Sequence, residues 1–218
     1  MNTDNYSIFN SDTDEIVKNT VLLLIGLSDL YTKEHCIMVS ELAARIAQRL
    51  GVLPGEIEKI KLAGYLHDIG KQAIPQGFIS KPGKLSPQEY ELVKTHVQVG
   101  VDVLHQLKVS PAVVRMVGEH HERLDGSGYP NCLRGSEISL GGQIIGVADV
   151  VSALVSKRTY RTASTADEVE KILMDLIPHQ MDPEIVQTAL DCLRAEVDEI
   201  FMVTDYAHEM QNAVHHYH

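Results

Sequence analysis

Seven side chains able to hold metal are strung along this chain, and any fold it adopts must place them: His35, the adjacent pair His67 and Asp68, His96, the adjacent pair His120 and His121, and Asp149. Five imidazoles and two carboxylates suit borderline first-row ions such as iron, manganese, nickel or zinc better than magnesium or calcium. A fold that gathers them builds a multinuclear centre, with hydrolysis as its leading use. A lone histidine on an apolar helix face is more often a satisfied core residue than a ligand, so this expectation rests on the seven together.

The sequence around them repeats with helical spacing. Cys36, Val39, Ala43, Ile46 and Leu50 recur at three- and four-residue steps, predicting a helix that stops at Gly51 and keeps His35 on its inward side. Pro54 suits a first helical turn, and Ile57, Ile60 and Ala63 lead along a buried face to His67 near that helix's end. Ser86 and Glu89 have the spacing of a capping box, with Pro87 at the first helical position and Leu85 and Tyr90 spaced as a hydrophobic staple. His96 is expected two to three turns into that helix.

Ser110-Pro111 opens a helix ending at His120-His121, and Ser139 opens another through Ile144, Ile145, Ala148 and Asp149. Thr165 with Glu168 caps a third, and Asp182-Pro183 starts a long amphipathic fourth through Ile185, Ala189, Leu193, Val197 and Ile200. No stretch alternates long enough to demand a strand, so an all-α chain is expected. The two long breaks, Gly70 to Lys84 and Glu122 to Glu137, each follow a ligand pair and are expected to overhang the metals.

With 218 residues the chain has room for one well-buried domain. Its formal net charge of -11 argues against general affinity for DNA, RNA or an anionic membrane. The most apolar stretch, Val21 to Leu27, is too short to span a bilayer, and Met1 to Asn10 does not read as a signal peptide, so a soluble cytoplasmic protein is expected. Cys36, Cys132 and Cys192 are read as reduced thiols, none a metal ligand. His105 and His179 are assigned to surface or structural roles, and His208, His215, His216 and His218 to a carboxyl-terminal tail.

The run His67-Asp68-Ile69-Gly70-Lys71, followed by His120-His121-Glu122-Arg123-Leu124-Asp125-Gly126-Ser127-Gly128-Tyr129-Pro130, resembles the HD-GYP family of cyclic dinucleotide phosphodiesterases, a branch of the HD metal-dependent phosphohydrolases. Tyr31-Thr32 before His35, Lys81 to Leu85 before His96, and Val147-Ala148-Asp149 before Arg158 and Tyr160 agree with it. The resemblance implies a single multi-helix HD-type domain over residues 31–202, with a helix over 1–30 packing on or extending it and a tail over 203–218. It also implies that the seven residues are metal ligands, that Asp68 bridges two divalent ions roughly 3.5–4 Å apart, and that a bridging water is the nucleophile. The reaction implied is hydrolysis of cyclic di-GMP to linear pGpG, with continuation to GMP left open.

Lys71 then acts on the scissile phosphate, and Arg158 and Arg161 match basic positions that meet phosphate. Gly128, Tyr129 and Pro130 are loop architecture that shapes the site and offers a surface to protein partners. Glu122, Arg123 and Asp125 either pin that loop or touch substrate.

Two departures bear on the expectation. Some relatives hold a third ion with a glutamate at the position of Tyr31, so two ions are expected here, iron or manganese first. Ser152 stands where many relatives carry aspartate, a position near a substrate base in the resemblance, which would relax guanine selectivity and admit a mixed 3′,3′-cyclic GMP-AMP. Other readings are a slow sensing module acting through partners, and a broader phosphohydrolase of mononucleotides. The sequence leaves open the preferred dinucleotide, the metal, the oligomeric state and the regulatory input.

Overall fold

Asp29 divides the first two helices and starts the second. Its carboxylate accepts the backbone N–H of Tyr31 at 3.0 Å, one of the groups that a helix start leaves over, and also the side-chain hydroxyl of Thr32 at 2.6 Å. The computed structural model describes residues 11–155, 166–177 and 179–195. Through them run α1 (Ser11–Ser28), α2 (Leu30–Arg49), α3 (Pro54–Leu66), α4 (Gln76–Ile79), α5 (Pro87–Lys94), α6 (His96–Gln106), α7 (Pro111–Glu119), α8 (Leu140–Val155), α9 (Ala166–Leu176) and α10 (Pro183–Ala195). Two 3-10 turns, Ile69–Ala73 and Gly135–Glu137, complete the set. The fold is all-α: among the described residues the only extended pairing is an isolated bridge between Asp125 and Arg134.

Helix starts carry the expected chemistry. Ser86 and Glu89 form a reciprocal capping box, and Pro54, Pro87 and Pro111 open α3, α5 and α7, where a missing N–H costs nothing. Asp182 accepts the N–H groups of Glu184 and Ile185 at the head of α10. The Thr165 cap, and Val197 and Ile200 beyond α10, lie outside the described residues.

Burial of apolar surface holds the helices together. α2 lies at the centre, packed against α1, α3, α8 and α10, with Cys36, Val39, Ala43 and Ile46 wholly buried. Ile144, Ile145 and Ala148 from α8 and Val186, Ala189 and Leu190 from α10 join the same core. α1 docks on its own domain through Val21, Leu22 and Ile25, and turns Ile16, Leu23, Leu24 and Leu27 outward.

The structure differs from the sequence expectation around His96. A single helix from Ser86 would place His96 in its interior, but the chain breaks at Thr95, and His96 opens α6. The Thr95 hydroxyl donates to the Leu92 carbonyl at 2.6 Å while its N–H closes a tight turn on the same oxygen, a side-chain competition that bends helices. The break from Gly70 to Lys84 is also partly ordered, by the first 3-10 turn and α4.

That turn is pressed hard against α6. A Cβ at Gly70 would run into the main-chain carbonyl of His96 and lie 2.6 Å from the backbone nitrogen of Gly100. Because backbone cannot yield as a side-chain tip can, Gly70→Ala is expected to lower stability by about 3 kcal/mol, read from the urea midpoint. An unchanged midpoint would show that the close approach is dispensable.

Candidate metal centre

Five elements deliver the seven candidate ligands to one point. His35 projects from α2, His67 caps the end of α3 with Asp68 next in the chain, and His96 starts α6. His120 caps the end of α7 with His121 following, and Asp149 comes from α8. His35, His67, Asp68, His96 and His120 are all buried, whereas His121 and Asp149 keep 18% and 14% of their side chains open, which makes them the edge that faces solvent.

The orientation of the rings is set by their outer nitrogens. Nδ1 of His67 donates to the Gly64 carbonyl at 2.7 Å, Nδ1 of His96 to Val93 at 2.7 Å, and Nδ1 of His120 to Val117 at 2.6 Å. A carbonyl can only accept, so Nδ1 bears a proton, and in the neutral ring Nε2 presents a lone pair. The Nε2 atoms of all three, with Oδ1 of Asp68, are buried and make no hydrogen bond within the protein. Buried polar atoms are nearly always partnered, and lone pairs converging on a common point are what a cation requires. The residues therefore fit a divalent metal site.

They fall into two groups. Ligand atoms of His35, His67 and Asp149 lie within 4.8 Å of one another, and so do those of His96, His120 and His121. Asp68 spans the gap: its Oδ2 is 3.3 Å from Nε2 of His67 and 3.7 Å from Nε2 of His35, while Oδ1 is 3.6 Å from Nε2 of His96. One carboxylate oxygen thus faces each group. Nε2 of His35 is also 3.0 Å from Oδ1 of Asp149. The Tyr31 ring lies parallel to that of His35, with centroids 6.5 Å apart, so this position offers a phenol and no carboxylate.

Charge is sorted accordingly. Burial works against ionising Asp68, but His67 and Lys71 overcome it and hold the carboxyl well below the usual range. Asp149 is held low in the same sense, its burial outweighed by His35 and His121. Burial keeps His35, His96 and His120 neutral, and brings His121 down to about 3. His67 differs: burial also opposes its charge, but Asp68 pressed against it raises its pKa. Burial pushes up the pKa of the Cys36 thiol, which lies beside His67 and Asp68.

Lys71 follows from the 3-10 turn after Asp68 and places Nζ 2.6 Å from Oδ2 of that residue. Burial disfavours its charge, but Asp68 and Asp149 more than offset this, so the ammonium persists. Beside the centre opens a cleft of about 690 Å³, lined by Tyr90, His121, Arg123, Tyr129, Asp149 and Leu154 among others. Tyr129 stacks on His121 at 4.6 Å, and Tyr90 meets Tyr129 edge-on at 6.3 Å, a neighbour that its place in α5 does not announce.

The loop after His121 is pinned from within. The buried Glu122 carboxylate accepts the N–H groups of Asn131 and Leu133, Arg123 donates to the carbonyls of His120 and Glu122, and Asp125 accepts from Ser127. Gly128 packs so closely on Glu122 that a Cβ would meet its Cα, and Tyr129-Pro130 is a cis peptide. Arg123 also lines the cleft.

Ser152, expected near a substrate base, is fully buried (0% exposed) behind His35, away from the lining of the cleft, with Oγ 2.9 Å from Nδ1 of that ring. Asp149 and Ser152 are one turn apart on α8, and both reach the His35 ring. Arg158 and Arg161 lie outside the described residues.

Comparison with known proteins agrees with this architecture. The HD domain family matches residues 11–185. A Vibrio cholerae protein named 3'3'-cGAMP-specific phosphodiesterase 2 is 35% identical over 185 residues, covering 83% of this chain and 35% of its own length. A Thermotoga maritima cyclic di-GMP phosphodiesterase is 36% identical over 183 residues, covering 82% and 49%. The chain thus spans about a third to a half of these curated relatives. Among solved structures, Bd1817, an HD-GYP-type protein of Bdellovibrio bacteriovorus, superposes with a TM-score of 0.66 at 22% identity, over 85% of this chain and 65% of that one. The chain belongs to the HD domain family.

Proposed function

We propose that this chain is a metal-dependent phosphodiesterase that opens cyclic di-GMP to linear pGpG at a two-ion centre. The observation that carries the proposal is the split of the Asp68 carboxylate between two triads of ligand atoms. His35, His67 and Asp149 would hold one ion and His96, His120 and His121 the other, iron or manganese by ligand chemistry. Such a pair supplies Lewis acidity and brings the pKa of its water from 15.7 toward about 7. The names of the two curated relatives support the substrate class.

The chain's own groups account for the rest. His121 and Asp149 form the open edge of the centre, so a phosphodiester reaches it from the cleft. Lys71 keeps its positive charge beside Asp68 and is the group that would steady charge building on non-bridging phosphate oxygens. Arg158 and Arg161 are proposed to hold the second phosphate. The Gly128 to Pro130 turn is proposed to shape the cleft and to meet protein partners. We place the activity in the cytoplasm, where Cys36, Cys132 and Cys192, all free thiols, would stay reduced. No helix of the described residues is long and apolar enough to cross a membrane.

The mixed 3′,3′-cyclic GMP-AMP is the second reading, favoured by the name of the Vibrio relative, 35% identical against 36% for the cyclic di-GMP enzyme. The burial of Ser152 removes the argument from a relaxed base pocket. Turnover with manganese or iron, comparing cyclic di-GMP, the mixed dinucleotide and a simple phosphodiester, tests the proposal. Cyclic di-GMP should be cleaved fastest; hydrolysis of the simple ester alone, or binding without cleavage, would contradict it.

Three variants divide the roles. Asp68→Ala is expected to abolish turnover and to lower bound metal, and full activity with full metal would end the two-ion account. Lys71→Ala should keep both ions and lose about 100- to 1,000-fold in kcat, as removal of an oxyanion donor does elsewhere; metal depletion would contradict that role. For Tyr31→Glu, elemental analysis should rise from two toward three ions per chain, while three ions in the unmutated protein would refute the explanation.

A further inference from the structure

His67, His96 and His120 are each anchored by the carbonyl three residues earlier in their own chain segment, so their aim is fixed as soon as that turn forms. His35 is held differently. Its Nδ1 meets the Ser152 hydroxyl at 2.9 Å across the packing of α2 on α8, and its Nε2 meets Asp149, one turn away on that same helix. Two residues of α8 therefore grip both nitrogens of one ring. Both Ser152 and His35 are buried, so no water can take the hydroxyl's place without disturbing the core.

Resting on the two-ion reading above, we infer that Ser152 is a positioning residue which sets the affinity of one ion position only, that of His35, His67 and Asp149. When Nε2 ligates an ion the ring's proton is on Nδ1, and the Ser152 hydroxyl is placed to accept it and to hold Nε2 toward Asp149 and Asp68. The partner is a rotatable, uncharged side chain from a second helix, where the other three rings have fixed main-chain carbonyls. Among these four rings, His35 is therefore the one whose placement depends on where α8 lies. The position formed by His96, His120 and His121 is independent of Ser152.

Manganese titration of the metal-depleted protein, followed by calorimetry and by elemental analysis, separates these statements. Ser152→Ala should weaken one of two binding steps by about tenfold to 100-fold and leave the other unchanged, the usual effect of losing a histidine's outer partner. Ser152→Cys, close in volume but a weak hydrogen-bonding group, should weaken the same step, and Ser152→Thr, which retains the hydroxyl, should restore it. Equal weakening of both steps, or failure of Thr to restore binding while the variant's thermal midpoint stays at the unmutated value, would assign Ser152 a merely structural role and overturn the inference. Two unaltered steps in Ser152→Ala would overturn it as well, leaving the two-ion centre standing. An unmutated protein that binds no manganese would overturn both.

Discussion

The bond from a histidine's outer nitrogen to the carbonyl three residues before it is the contact on which this structure turns. At the ends of α3 and α7 the last carbonyls lack helical partners, and His67 and His120 use two of them. The same bond finishes the helix and aims Nε2 inward. Both helices also direct their negative ends at the centre, which favours cations over any other occupant. His96 gains the same kind of anchor because Thr95 breaks the helix before it, leaving the Val93 carbonyl to accept.

Around this anchoring the fold is arranged for charge. A chain of net charge -11 has no general attraction for a phosphodiester, yet the two divalent ions proposed against Asp68 and Asp149 would leave a local excess of roughly two positive charges, with Lys71 added. The buried carboxylates stay ionised because cationic and imidazole groups press on them from several helices, and most of the imidazoles stay neutral because burial forbids their charge. Close packing enforces the arrangement: Gly70 lets the turn after Asp68 reach α6, and Gly128 lets the loop after His121 fold back on Glu122.

Much of this is written in local sequence. The caps at Ser86, Ser110 and Asp182, the prolines at helix starts and the buried faces of α2 and α8 follow from spacing alone, because they depend on neighbours within a turn or two. The candidate ligand residues were legible as a set for the same reason that they were unusual: histidines beside carboxylates recur where apolar periodicity ends. What local pattern does not carry is contact between helices. Ser152 was assigned to the substrate because nothing in α8 says which ring stands opposite, and Tyr90 fits a helix start yet meets Tyr129. The break at Thr95 escaped because a threonine inside an apolar repeat does not reveal that its hydroxyl will take the Leu92 carbonyl.

The central claim is that Asp68 joins two ions into one centre. Electron paramagnetic resonance of the manganese-loaded protein addresses it directly, since ions about 3.5–4 Å apart across a shared carboxylate are magnetically coupled. The account predicts a coupled-pair spectrum when two manganese ions are bound per chain. The six-line signal of isolated manganese at that same loading would contradict it.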